Sequence, residues 1–296
     1  MKKPIFTGCA AALATPFRDG ELCVPALQQL IDFVITGGCA AIVPAATTGE
    51  SASLSYAEHR ALVGAAVRAS AGRVPVIAGA GSNSTEHALT LIRQAEDAGA
   101  DALLLVTPYY NKTSQSGLIR HYTYLADRTP LPILLYDVPG RTGMRILPET
   151  LAELSRHPGI FGVKAAGTDV EEVSRAMRLC DPDFCFYSGN DSLTLPLMAL
   201  GAKGVVSVAA NVAPEAMSEL TRLCLAGDYP SAAAVHFEYL ALMDALFADV
   251  NPIPLKAALE LCGLCSGEVR LPLTELSPEK QTELETVLKA YGLAGG

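Results

Sequence analysis

Lys164 is the residue best placed for covalent chemistry, because it ends an apolar run, Ile160–Ala165, where a charged side chain has no ordinary reason to lie. Side chains along an extended segment alternate between faces. That alternation sets Gly162 and Lys164 on one side, with Phe161, Val163 and Ala165 on the other. If the bulky side packs under helices, Lys164 points inward. Burial disfavours an ammonium and frees the amine that attacks a carbonyl. A structural ion pair accounts for a lysine on this strand equally well. Tyr136 ends a second apolar run, and a phenol beside such a lysine can pass protons to and from a carbinolamine and its imine. Alone, it also reads as a core aromatic with a satisfied hydroxyl. Arg141 follows and has the forked geometry that holds a carboxylate, although a loop arginine more often simply faces solvent. Thr47-Thr48-Gly49-Glu50-Ser51 offers two hydroxyls and a turn of backbone N–H groups, or merely a turn. Tyr109-Tyr110 suits a binding mouth or a subunit contact. Each motif separately has a bland explanation. Their common position, at the end of an apolar run, does not.

The elements that position these groups repeat. Short hydrophobic runs recur at Gly8–Ala14, Ala40–Ala45, Val74–Ala80, Ala102–Thr107, Ile133–Val138, Ile160–Ala165, Phe184–Ser188 and Val205–Ala209, with amphipathic stretches between them. The runs are nearly continuous in hydrophobicity, as parallel strands covered on both faces are. Eight such units predict an α/β chain folded as a (β/α)8 TIM barrel. Helices are expected over Thr85–Ala98, which stops at Gly99, and over Ser116–Arg128 and Asp169–Cys180. Ser55 and Glu58 form a capping box. Beyond Ala209 only helical stretches remain: Pro214–Ala226, Pro230–Phe247, Pro254–Leu264 and Ser277–Tyr291. The first closes the eighth unit and the others make a C-terminal helical appendage. The expected division is a catalytic barrel over 1–228 and a helical region over 229–296. An open doubly wound sheet fits less well, since Gly79-Ala-Gly81 lacks the third glycine and the later acidic partner of a dinucleotide turn.

The net charge of −9, with no basic stripe, argues against nucleic acid as a partner. No apolar run approaches the roughly 20 residues that cross a bilayer, so no membrane partner is expected. Met1–Phe6 lacks the apolar stretch of a signal peptide, and the cytoplasm is the expected compartment. Of the eight cysteines, Cys9, Cys39 and Cys185 read as core, and Cys262 and Cys265 form a lone CxxC without further ligands. No metal site is expected.

With these segments in view, the chain resembles the pyruvate-dependent class I aldolase superfamily, and within it the dihydrodipicolinate synthase family. The resemblance rests on Thr47-Thr48-Gly-Glu-Ser51, Val106-Thr-Pro-Tyr-Tyr-Asn111, Tyr136-Asp-Val-Pro-Gly-Arg-Thr-Gly143 and Gly162-Val-Lys164, and extends to Asn251-Pro-Ile-Pro-Leu-Lys256. It implies a Schiff base between Lys164 and pyruvate, and attack of the enamine on aspartate semialdehyde. Tyr136 would move protons, and Thr47 would link it to Tyr110 of a neighbouring subunit. Thr48 would bind the pyruvate carboxylate through its backbone, Val206 would give a main-chain oxygen, and Arg141 would take the second carboxylate. The resemblance further implies a homotetramer built as a dimer of dimers, and no metal or organic cofactor.

Three positions depart from the family's common pattern: Asp137 for Asn, Ala165 for Glu and Asn190 for Asp. Lysine-inhibited members hold lysine at the dimer interface. Ser51, Ala52, His59, Asn83 and Tyr109 match that allosteric pattern, but His87 replaces a Glu and Tyr56 a His. Loss of a carboxylate partner for the lysine amine predicts weak or absent feedback. The competing readings are an N-acetylneuraminate lyase or keto-deoxy-sugar-acid aldolase, which share Lys164 and Tyr136 but generally lack Arg-Thr-Gly. A non-catalytic binding or regulatory barrel is the alternative of another class.

Overall fold

The structure, a computed structural model, describes residues 2–294. The outer limits of the expected division, 1 and 296, lie outside the described residues. Eight parallel strands form the barrel: β1 (Gly8–Ala12), β2 (Ala41–Val43), β3 (Ile77–Gly79), β4 (Ala102–Val106), β5 (Ile133–Asp137), β6 (Ile160–Ala165), β7 (Cys185–Ser188) and β8 (Gly204–Ser207). The neighbour order is β2-β1-β8-β7-β6-β5-β4-β3, and a parallel bridge between Ile42 and Val76 closes it. The expected TIM barrel is the fold observed. Most predicted strands are shorter by a residue or more, since the chain leaves the ladder as soon as it turns towards the next helix. The exception is β6, which matches; β8 is also shorter but starts one residue earlier than expected.

The helices follow as α1 (Val24–Thr36), α2 (Tyr56–Ser70), α3 (Thr85–Ala98), α4 (Gln115–Ala126), α5 (Pro148–Ser155), α6 (Val170–Leu179), α7 (Thr194–Ala199) and α8 (Pro214–Leu225). Their starts are chemically marked. Ser55 and Glu58 form the reciprocal box, and the side chains of Ser84, Ser114 and Asp169 each accept a backbone N–H of the first turn. Three more helices, α9 (Tyr229–Ala245), α10 (Ile253–Leu261) and α11 (Pro278–Ala290), follow the barrel. Leu242, Leu255, Leu259, Leu284 and Leu288 join the same apolar layer as the barrel's outer face. Among the described residues, no helix is long and apolar enough to cross a membrane.

Alternation along the strands separates two apolar regions. Ala10, Ala12, Val43, Ile77, Leu104, Leu134, Tyr136, Tyr187 and Val206 fill the barrel, while Ala11, Ile42, Ala78, Leu103, Leu135, Val163 and Val205 face the helices. Phe161 is a correction. It packs inside the barrel, edge-on to Tyr187 at 6.5 Å, and not on the helix side with Val163. The cause is a register shift: Ile133 pairs with Ile160, but Leu134 pairs with Gly162. That extra residue reverses the alternation before Gly162 and leaves it intact after, so Lys164 still points inward.

Candidate active site

Lys164 and Tyr136 are register partners at the C-terminal ends of β6 and β5. The lysine Nζ lies 4.3 Å from the centroid of the Tyr136 ring. Both are buried, at 3% and 6% exposure. Glycines make room for this pair. A Cβ on Gly162 would run into the Cys185 carbonyl, and one on Gly189 would press on Ala166 and on Lys164 Cε. The loop after β7 can therefore close over the lysine only with glycine there. The same loop carries Asp191, which is fully buried and whose carboxylate accepts from the backbone N–H groups of Val208 (3.1 Å) and Ala209 (2.9 Å). Burial pushes its pKa up, against the pull of the Ser207 hydroxyl, those two N–H groups and the positive charge of Lys164. Val206, the expected donor of a main-chain oxygen, is buried on β8 beside them.

The Thr47–Ser51 turn forms a second wall. Thr48 is buried, and its Oγ1 accepts from Asn251 Nδ2 at 3.1 Å. The Gly49 carbonyl accepts from the Thr15 hydroxyl at 2.7 Å. Glu50 takes the left-handed conformation, φ 54°, which ends the turn and sends its carboxylate under the loop. Arg141 donates through Nη2 to the Asn251 carbonyl at 2.7 Å, a partner the sequence did not suggest. Its loop is held by Thr142, whose hydroxyl accepts from Thr107 at 3.0 Å and donates to the Met144 carbonyl at 2.8 Å.

A cavity of about 580 Å³ opens beside these walls. Thr47, Arg141 and Asn251 line it together with Ser51, Ala52, His59, His87 and Tyr109, so Arg141 borders the same space as most of the expected allosteric residues, whereas Thr48, Val206, Lys164 and Tyr136 do not line it. Asn83 does not: it lines a neighbouring cleft and its carbonyl accepts from Asn111. His59 is buried, with Nε2 2.7 Å from the Gly79 carbonyl, and burial lowers its pKa. His87 is exposed and sits edge-on to Tyr56 at 6.0 Å. Tyr110, at 92% exposure and φ 66°, stands off the rim, so a single chain does not bring it to Lys164. All eight cysteines are free; burial pushes Cys262 and Cys265 up to about 11.

Sequence reasoning missed the support beneath the turn. Lys256 on α10 is fully buried, 3.3 Å from Glu50 Oε1, and donates to the Thr15 carbonyl at 2.6 Å. Glu50 Oε2 also accepts from the Arg270 backbone N–H at 3.0 Å. Arg270 pairs with Glu58 at 2.5 Å and lies over the Phe17 ring, which Lys256 also approaches. That pairing with Arg270, with the Ser55 cap, holds Glu58 down at about 2. Burial lowers the Lys256 pKa, and Glu50 opposes it. A charged lysine in an otherwise apolar stretch, Ile-Pro-Leu-Lys-Ala-Ala-Leu, was the available signal.

Comparison with known proteins places this geometry. Residues 5–291 match the Dihydrodipicolinate synthetase family. The 4-hydroxy-tetrahydrodipicolinate synthase of Geobacter sulfurreducens is 47% identical over 289 residues, covering 98% of this chain and all of that one. The crystal structure of dihydrodipicolinate synthase from Aquifex aeolicus superposes with a TM-score of 0.96 at 43% identity, covering 98% of this chain and 99% of that one. The chloride-inhibited enzyme from Acinetobacter baumannii, complexed with pyruvate, gives 0.95 at 41% identity over 97% and 99% of the two chains. Likeness of this extent, over a barrel with Lys164 facing Tyr136 at its C-terminal end, has one reading: the chain belongs to the dihydrodipicolinate synthetase family.

Proposed function

We propose that this protein condenses pyruvate with aspartate semialdehyde to 4-hydroxy-tetrahydrodipicolinate, serving the diaminopimelate and lysine route. The observation that carries the reading is the buried Lys164 amine over the Tyr136 ring. A lysine there has no carboxylate register partner: Tyr136 and Tyr187 flank it on β5 and β7. The ion-pair alternative for it loses ground accordingly.

The amine adds to the C2 carbonyl of pyruvate, and loss of water leaves an imine. Tyr136 is the proton donor and acceptor for both steps. Removal of a methyl proton gives the enamine, whose carbon attacks the aldehyde of the second substrate. The amine of that substrate then adds to the imine carbon and displaces Lys164, closing the ring. The backbone at Thr48 and the Val206 carbonyl position pyruvate, and Arg141 on the cavity wall receives the second carboxylate. Every step uses groups of the chain itself, so no metal or organic cofactor is required.

Thr47 relays protons between Tyr136 and Tyr110. Since Tyr110 is almost fully exposed in one chain, the relay is completed by a second copy, in a dimer that pairs into a tetramer. The deciding experiment reduces the protein with borohydride in the presence of pyruvate and maps the adduct by mass spectrometry. Label on Lys164, and turnover with aspartate semialdehyde that Lys164→Ala abolishes, is the expected outcome. Cleavage of a sugar acid with no activity on aspartate semialdehyde would refute it.

A further inference from the structure

Asn251 is not among the groups that the mechanism uses, yet it touches two of them. It precedes α10, outside the barrel strands and their helices. Its Nδ2 donates to Thr48 Oγ1 at 3.1 Å, and its main-chain carbonyl accepts from Arg141 Nη2 at 2.7 Å. Thr48 belongs to the wall proposed for pyruvate and Arg141 to the wall proposed for the second substrate. The two come from different βα loops, and Asn251 is a direct bridge between them. The residue is 6% exposed and lines the cavity that both walls border.

The bridge is itself held. Lys256, one turn into α10, is anchored on Glu50 and on the Thr15 carbonyl, and Thr15 in turn holds Gly49. The segment that carries Asn251 is thus fastened to the same turn that its side chain grips. A bond from a rigid neighbour fixes a rotamer, whereas a bond to solvent does not.

We infer that Asn251 is a positioning residue that sets Thr48 and Arg141 against one another and so fixes the spacing between the two carboxylate sites. The inference rests on the assignment of those sites above. Through Asn251 the C-terminal helical region becomes part of the active site.

Kinetics on the full-length enzyme test it. Asn251→Ala removes the Thr48 bond and loosens the carbonyl that holds Arg141. KM should rise for both substrates, for pyruvate by about fivefold, the factor that one net hydrogen bond of about 1 kcal/mol represents, with kcat changed much less. Thr48→Val cuts the same bond from the other end and leaves the Thr48 backbone in place, so it should raise the pyruvate KM alike. The double variant should be no worse than the poorer single one, because both remove one bond. Asn251→Asp, which cannot donate to Thr48 and sets a negative charge between the two carboxylate sites, should raise both KM values at least as far as Asn251→Ala.

Loss of folding is not the expected result for Asn251→Ala, since Asn251 Oδ1 is buried without a partner and its removal offsets part of the lost bond. Should that variant nevertheless fail to fold, Thr48→Val still reads the bond. KM effects that multiply in the double variant, or a lowered melting temperature with unchanged KM, would overturn the inference. A wild-type protein that neither turns over nor forms a pyruvate adduct would instead overturn the functional reading.

Discussion

Asp137 stands next to Tyr136 with its side chain between β5 and α6, where its Oδ1 accepts the Ile146 backbone N–H at 3.1 Å. Burial raises its pKa from 3.8 to about 7; Glu172 adds to the rise, and the Ile146 N–H and Arg145 oppose it. A carboxyl whose folded pKa is raised stabilises the protein fully below its unfolded value, and that stabilisation is lost as pH climbs to the folded one. Between 3.8 and about 7 the folded protein keeps a proton that the unfolded chain has released. Stability then falls by about 1.4 kcal/mol for each pH unit of that window. From pH 5 to pH 8 the wild type should lose roughly 2–3 kcal/mol through this one group. Asp137→Asn cannot ionise and keeps an oxygen for Ile146, so it loses nothing there. Thermal midpoints of the two proteins, measured side by side, should diverge in favour of Asn by about 5 °C over that pH range, at roughly 2 °C per kcal/mol for a chain of this size. A gap that stays flat, or that shifts towards the wild type as pH rises, would show that Asp137 is ionised and solvated in the folded protein.

Three further outcomes follow from the same geometry. Lys256→Met strands the Glu50 carboxylate in a dry site and should cost about 3–5 kcal/mol in denaturation, most of it regained in Lys256→Met/Glu50→Gln; equal losses in the two would disprove a buried ion pair. Tyr110→Phe and Lys164→Ala, each nearly inactive alone, should recover about a quarter of wild-type activity when mixed and reassembled, because a hybrid dimer joins an intact Lys164 to a partner's intact Tyr110. No recovery would place Tyr110 outside the relay. Lysine should inhibit weakly or not at all, with His87 in place of a carboxylate at the cavity wall, and His87→Glu should increase sensitivity; saturable inhibition of the wild type at micromolar lysine contradicts this.

What the sequence revealed, and what it hid, follows from the range of the interactions. Strand runs and capped helices are local, so the barrel could be counted from hydrophobic runs, and Lys164 stood out as a charge in one of them. α1 was expected only as part of a βα unit, without bounds of its own, because Cys23 at its start makes no capping bond and no acidic side chain follows in its first turn. Phe161 was assigned the wrong face because alternation assumes an unbroken ladder, and the irregularity between β5 and β6 depends on the partner strand. The support of the site was hidden for a stronger reason. Asn251 and Thr48 are 203 residues apart, Lys256 and Glu50 206, and Arg270 and Glu58 212. In each case the chain past the barrel returns to the loop after β2 or to the start of α2. No period or spacing encodes such a return. Its only trace in the sequence is chemical: Asn251 and Lys256 are polar groups in a stretch apolar enough to bury them. A polar residue in such a place must find its partner somewhere, and here the partner is the turn proposed to hold the substrate.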